Sequence, residues 1–166
     1  KDGDGNTANS AWVTVTVSSA DASAYANAVL DDGASLLWRL GGTDGGADWA
    51  GTNDASFKNA VGTTADGALA GETNGAATFP GDNGFASTTN TYTVGSSFAA
   101  ELWFKTDTTS GGKIVGYGDN PNDWSGSYDR HVYMKNNGQL VFGTYPGWTA
   151  TVQSTKSYND DKWHHL

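Results

Sequence analysis

The chain has 166 residues, of which 37% are hydrophobic and only 16% charged, with 23 glycines, no cysteine and a net charge of −9 at pH 7. An acidic surface of this kind repels phosphate backbones and anionic headgroups, which argues against nucleic-acid and membrane-surface roles. The missing cysteines exclude disulfide scaffolds, thiolate metal sites and thiol nucleophiles.

Aromatic residues at 12% supply a packed core. Glycine at this frequency joins many short strands through turns. The expected class is all-β. No apolar run is long enough to cross a bilayer, so no membrane insertion is expected.

In chain order, residues 1–20 read as the tail of a preceding immunoglobulin-like or fibronectin type III-like domain plus a linker. Ala11 to Val17 alternates strictly, with Val13, Val15 and Val17 on one face. Before it, Asp2, Asp4 and Asn6 have the spacing of a calcium loop. Thr7 stands where such a loop needs its turn glycine, and the downstream glutamate is missing, so a plain turn is expected. Ser23 to Leu30 is alanine-rich and predicts one short helix, capped by Asp21 or Ser23 and ended by Asp31-Asp32-Gly33.

Short strands follow, expected at Ser35–Leu40, Ala76–Phe79, Thr91–Val94, Ala99–Lys105, Lys113–Gly118, His131–Lys135, Gln139–Thr144, Ala150–Gln153 and from about Trp163. This density of strands signals an antiparallel sandwich or jelly roll. Asn136-Asn137-Gly138 predicts a tight hairpin, since Asn-Gly supplies the positive φ angles of a type I′ turn.

Several segments carry a family resemblance over 21–166. Leu36-Leu37-Trp38-Arg39-Leu40, Thr78-Phe79-Pro80-Gly81, Glu101-Leu102-Trp103-Phe104-Lys105 and Gly111 to Gly116 come in the order of the laminin G-like, concanavalin A-like domains of bacteria. Tyr128 to Met134 and Tyr158 to Leu166 continue the match. The resemblance implies an antiparallel jelly-roll sandwich in an extracellular or cell-surface bacterial protein. In that family the Trp-His-His segment begins a strand in mid-domain. The resemblance therefore implies a jelly roll lacking its C-terminal portion, in a fragment of a multidomain protein with open sheet edges available for self-association. It also implies a calcium ion at Asp54, because Asn53-Asp54-Ala55-Ser56 stands at a metal-holding turn of related jelly rolls, with Phe57 in place of the usual glycine.

The candidate site residues lie in loops. Trp49, Trp124, Tyr145 and Trp148 sit among Gly, Asp, Asn and Pro, where an aromatic ring can stack on the C–H face of a sugar. Asn122 and Asp123, in the polar stretch from Asp119 to Asp129, add hydrogen-bonding groups, while Asp129 and Arg130 are expected to pair locally. Trp38, Trp103, Phe104 and Trp163 are expected in the core. Catalysis is not expected. Neither Glu72 nor Glu101 belongs to a short acidic cluster, and adjacent His164 and His165 point to opposite faces of a strand.

The expected function is polysaccharide or surface-glycan recognition beside neighbouring domains of the same protein. The alternatives are a structural spacer or self-assembling unit of an adhesin or filament, and an accessory domain of a glycoside-active enzyme.

Overall fold

The computed structural model describes residues 22–42 and 44–166. The expected strand at 11–17, the Asp2-Asp4-Asn6 turn and the Asp21 cap lie outside them. The regular secondary structure is mostly antiparallel β-sheet, with one short helix.

Helix α1 spans Ala22–Asp31, where alanines favour helix and no glycine or proline interrupts. It stops at Gly33, whose φ of 85° lets Gly33 N–H reach Leu30 O and Ala34 N–H reach Val29 O. These two bonds satisfy the last carbonyls of the helix. On its inner face Ala26 is buried, and Tyr25 Oη accepts a hydrogen bond from Trp103 Nε1 at 3.1 Å.

The strands are β1 (Ala55–Lys58), β2 (Gly62–Thr64), β3 (Ala76–Thr78), β4 (Phe85–Thr88), β5 (Trp103–Phe104), β6 (Gly112–Gly118), β7 (Tyr128–Met134), β8 (Gln139–Thr144), β9 (Ala150–Ser157) and β10 (His164–His165). Three two-stranded pairs, β1 with β4, β2 with β3 and β5 with β10, accompany one four-stranded meander, β6-β7-β8-β9. The segments expected as strands at 35–40 and 91–94 form no ladder. Trp38 makes a single bridge to Asp48, and Tyr92 packs its ring on Tyr117 with centroids 6.3 Å apart.

The β7–β8 hairpin forms, but not through the expected type I′ turn. Lys135 N–H bonds Gln139 O and Gly138 N–H bonds Lys135 O, both at 2.8 Å, which closes a three-residue loop. Gly138 takes a positive φ of 82° while Asn137 does not. The turn is therefore a type I turn followed by a glycine bulge.

Register sets the two faces of the meander. Val115, Val132, Phe142 and Val152 stand opposite one another across the four strands and share a face. Val132 and Met134 are buried there, and Phe98 covers Phe142 and Tyr117. The cover is partial. Val152 remains 64% exposed, beside an apolar trough of about 360 Å³ lined by Phe104, Leu140, Phe142, Tyr158 and Leu166 among others.

Trp103, expected in the core, is instead partly exposed; its ring lies 4.8 Å from that of His165. His164 packs on Phe104 and Tyr158 instead, so the two histidines do diverge.

Candidate functional site

The opposite face of the meander carries a different set of side chains. His131 stands opposite Gly143, and Gly143 opposite Thr151. The next row holds Lys113, Tyr133, Val141 and Gln153. Strand alternation places His131 and Tyr133 on this one face. Arg130, with a φ of 46°, marks an irregularity in β7 that re-aims the residues before it.

A groove of about 650 Å³ lies here, lined by Tyr128, Asp129, His131, Tyr133, Gly143 and Tyr145, with Thr149 and Thr151 along one wall. Tyr128, His131 and Tyr133 form a continuous aromatic row, with successive ring centroids 5.3 and 5.6 Å apart. Two glycines shape the floor. A Cβ on Gly116 would fall 2.4 Å from His131 Cβ and 2.8 Å from its Cα, so β6 approaches β7 closely at this point. A Cβ on Gly143 would meet His131 Nε2 at 3.5 Å and Thr151 Cγ2 at 3.6 Å, which is ordinary contact. His131 Nδ1 is enclosed without a partner. That leaves Nε2 as the nitrogen able to reach a ligand.

The rim is built from two loops brought to one end of the sheet, 119–127 between β6 and β7 and 145–149 between β8 and β9. Asp129 stitches them together, its Oδ1 accepting Tyr145 N–H at 2.7 Å and its Oδ2 lying 3.0 Å from Arg130. The Tyr145 N–H is the main reason the Asp129 carboxyl sits below the usual carboxylate range; partial desolvation opposes it, and Arg130 adds to it. The 119–127 loop is closed at its neck by Asp119, which takes Ser127 N–H at 3.1 Å, and is tied to β4 by a bond from Ser87 Oγ to Pro121 O.

The expected site residues divide between this groove and elsewhere. Tyr145 lines it. Trp124 and Trp148 stand on the two rim loops, 83% and 66% exposed, beside rather than within it. Asn122 and Asp123 share the first loop, where Asp123 Oδ1 accepts Trp124 N–H and Asn122 N–H bonds Asn120 Oδ1. Trp49 does not join them, because the Arg39 guanidinium covers its ring at 4.6 Å, held in turn by Glu72 and Asp44. Tyr128, His131, Tyr133, Thr149 and Thr151 were not singled out by sequence. The aromatic part of their signal, rings at 128, 131 and 133 with a glycine opposite each of the first two, appears only once the strands are paired.

Asp54 lies in a separate turn. Its Oδ1 accepts Asp48 N–H at 2.9 Å and its carbonyl accepts Thr89 N–H. Asp48, 9% exposed, is the centre of that turn, taking N–H groups from Leu37 and Ala50 on Oδ1 and from Asn53 on Oδ2, each at 3.0 Å. Burial opposes its charge. The N–H groups of Leu37, Asn53, Ala50 and Gly51 together outweigh burial and hold its pKa below the ordinary value. These oxygens therefore serve the backbone, and among the described residues no three acidic or histidine side chains converge as a metal cluster.

Comparison with family models, with curated proteins and with solved structures gives no match to this chain.

Proposed function

We propose that the chain is a non-catalytic carbohydrate-recognition module, laminin G-like in its jelly-roll architecture, belonging to a larger exported bacterial protein. The observation that carries this reading is the open groove whose walls alternate aromatic rings with hydroxyls and one fixed carboxylate. A pyranose offers a C–H face to a ring and hydroxyls around its edge, and this groove supplies partners for both. Trp124 and Trp148 extend the platform past the rim for a ligand longer than the groove.

Turnover is not part of the proposal. Glycoside hydrolysis places two carboxyl groups across the scissile bond. Asp129 is the carboxylate of the groove lining, whereas Glu72 is held by Arg39 and Glu101 stands beside His165 on the β5–β10 pair.

The test is a pull-down of the full chain on a panel of insoluble polysaccharides, with calcium and then with a chelator. Gly143→Val is the deciding variant, because it fills the groove while removing no side chain. Retention by the parent chain and its loss in Gly143→Val, with the thermal midpoint unchanged, is the expected result. A folded parent chain retained on nothing, or retained equally well by Gly143→Val, overturns the reading. Chelator sensitivity would assign a calcium contribution, to be traced through Asp54→Ala.

The architectural alternative draws on one separate observation. Among the described residues β9 is an edge strand, and Val152 within it is exposed. Concentration-dependent oligomers in sedimentation, from a chain that retains no glycan, would favour a self-assembling unit.

A further inference from the structure

The sequence holds three Asn-Gly pairs, at 74–75, 83–84 and 137–138. An asparagine before glycine is chemically fragile, because no side chain on the following residue shields its amide nitrogen from the asparagine Cγ. The fold decides which of the three can react, since attack requires the Cγ to swing onto the next nitrogen.

Asn74 is closed off. It is 7% exposed, its Nδ2 donates to Arg39 O at 2.9 Å, and an added Cβ on Gly41 would fall 2.5 Å from its Cγ, so neighbouring backbone covers the carbon under attack. Asn137 is exposed but held. Its Oδ1 accepts Gln139 N–H at 3.2 Å and its Nδ2 donates to Gln139 Oε1 at 2.8 Å, which turns the amide past residue 138. The nitrogen that would attack is occupied as well, since Gly138 N–H donates to Lys135 O at 2.8 Å. Exposure alone therefore does not separate the sites.

Asn83 differs from both. It lies exposed in the loop between β3 and β4, and among the described residues neither its side-chain amide nor Gly84 N–H takes part in a hydrogen bond. Only its main-chain carbonyl is engaged, accepting Asn59 Nδ2 at 3.1 Å. Gly84 is confined to glycine by its neighbours, because an added Cβ would lie 2.8 Å from Pro80 Cδ and 3.0 Å from Asn59 O. The loop thus keeps the reactive pair together and leaves it unclamped.

We propose that Asn83 is a site of spontaneous deamidation, the one Asn-Gly pair of the three that the fold leaves open to it. Hydroxide removes the Gly84 amide proton, and the nitrogen bonds to Asn83 Cγ. The Cγ–Nδ2 bond breaks, and Nδ2 leaves as ammonia with a proton from water. Water then opens the succinimide ring at either carbonyl, giving aspartate or isoaspartate with no change of oxidation state. Either product adds a negative charge to a chain already at −9. In the isoaspartyl product the main chain runs through the former side chain, so the carbonyl that Asn59 holds becomes a pendant carboxylate. That bond braces a turn in which Asn59 and Ala60 both have positive φ, 55° and 59°. None of these groups lines the groove.

The experiment incubates the full chain at mildly alkaline pH, folded and in denaturant, and follows each Asn-Gly peptide by mass spectrometry, with fragmentation that tells isoaspartate from aspartate. In the folded chain Asn83 should convert about tenfold faster than Asn74 or Asn137, the factor that opening one hydrogen-bonded clamp imposes. In denaturant the three rates should converge. Asn83→Gln removes no hydrogen-bonded side chain. It should keep the parent melting temperature and lose the acidic species that grows first on ion exchange. An Asn83 amide that stays intact, conversion at Asn74 or Asn137 as fast as at Asn83 in the folded chain, or an Asn83 lead that persists in denaturant overturns the proposal.

Discussion

Two loops of this chain contain the same short motif and use it in opposite ways. Asp48-Trp49-Ala50-Gly51 and Asp123-Trp124-Ser125-Gly126 differ by a single hydroxyl. In the first, the carboxylate turns inward, gathers backbone N–H groups from both sides of the turn, and leaves Trp49 under a guanidinium. In the second, the carboxylate takes only the N–H of the tryptophan beside it, and Trp124 stands in solvent. The motif does not decide between these outcomes. The difference lies in what runs alongside: residues 37–38 bridge to Asp48 and bring a donor to it, whereas the 119–127 loop projects past the end of its sheet. A tryptophan after an aspartate becomes part of the scaffold or part of the surface according to its neighbours.

Replacing each aspartate breaks this comparison most directly. Asp48→Asn turns an amide toward N–H donors and removes the charge that satisfies them, and should cost about 3 kcal/mol in chemical denaturation. Asp123→Asn should stay within about 0.5 kcal/mol of the parent. The pair also sharpens through pH. Because the folded Asp48 pKa is depressed, its contribution is complete above the ordinary value of 3.8 and is lost as pH falls through the lower folded value. The gap between parent and Asp48→Asn should therefore close in that acid window, as read from denaturation midpoints.

Gly116→Ala comes next in size. A methyl 2.4 Å from His131 Cβ forces the imidazole or the strand to move, at about 1–3 kcal/mol, with loss of glycan retention. Tyr133→Ala should weaken retention by about threefold to tenfold through the lost stacking surface. The tryptophans give the smallest and most contrasting effects. Trp49→Ala should lower stability by about 0.5–1 kcal/mol through its cation–π contact and leave binding unchanged. Trp124→Ala should do the reverse, weakening retention on long polymers with stability within about 0.5 kcal/mol of the parent.

Much of the meander was legible because alternation and turn chemistry are local. The expected β8 coincides with Gln139–Thr144, and the hairpin falls where Asn-Gly predicts it, although glycine alone takes the positive φ. Strands β1, β2 and β4 went unrecognised, being three or four residues long and rich in small polar side chains that carry no clear period. Conversely, Ser35–Leu40 and Thr91–Val94 have strand composition but find no ladder partner, only side-chain packing and one bridge. The groove was half visible. Tyr145 and the rim tryptophans follow from loop composition, whereas His131 and Tyr133 resemble an ordinary half-buried strand until Gly143 is seen opposite His131. Asp48 was hidden for the same reason, since its first donor, Leu37 N–H, lies eleven residues away.

The glycine floor also bears on how such a groove can change over generations. At position 116 a side chain collides with His131 Cβ and Cα, and at 143 it takes up open space of the groove beside His131 and Thr151. Inheritable variation in the groove's shape is thereby channelled away from the sheet and toward the loops at 119–127 and 145–149. Those loops can lengthen, shorten or exchange residues without touching a ladder bond of the meander. The groove can thus change shape at its rim while position 116 of its floor stays confined to glycine.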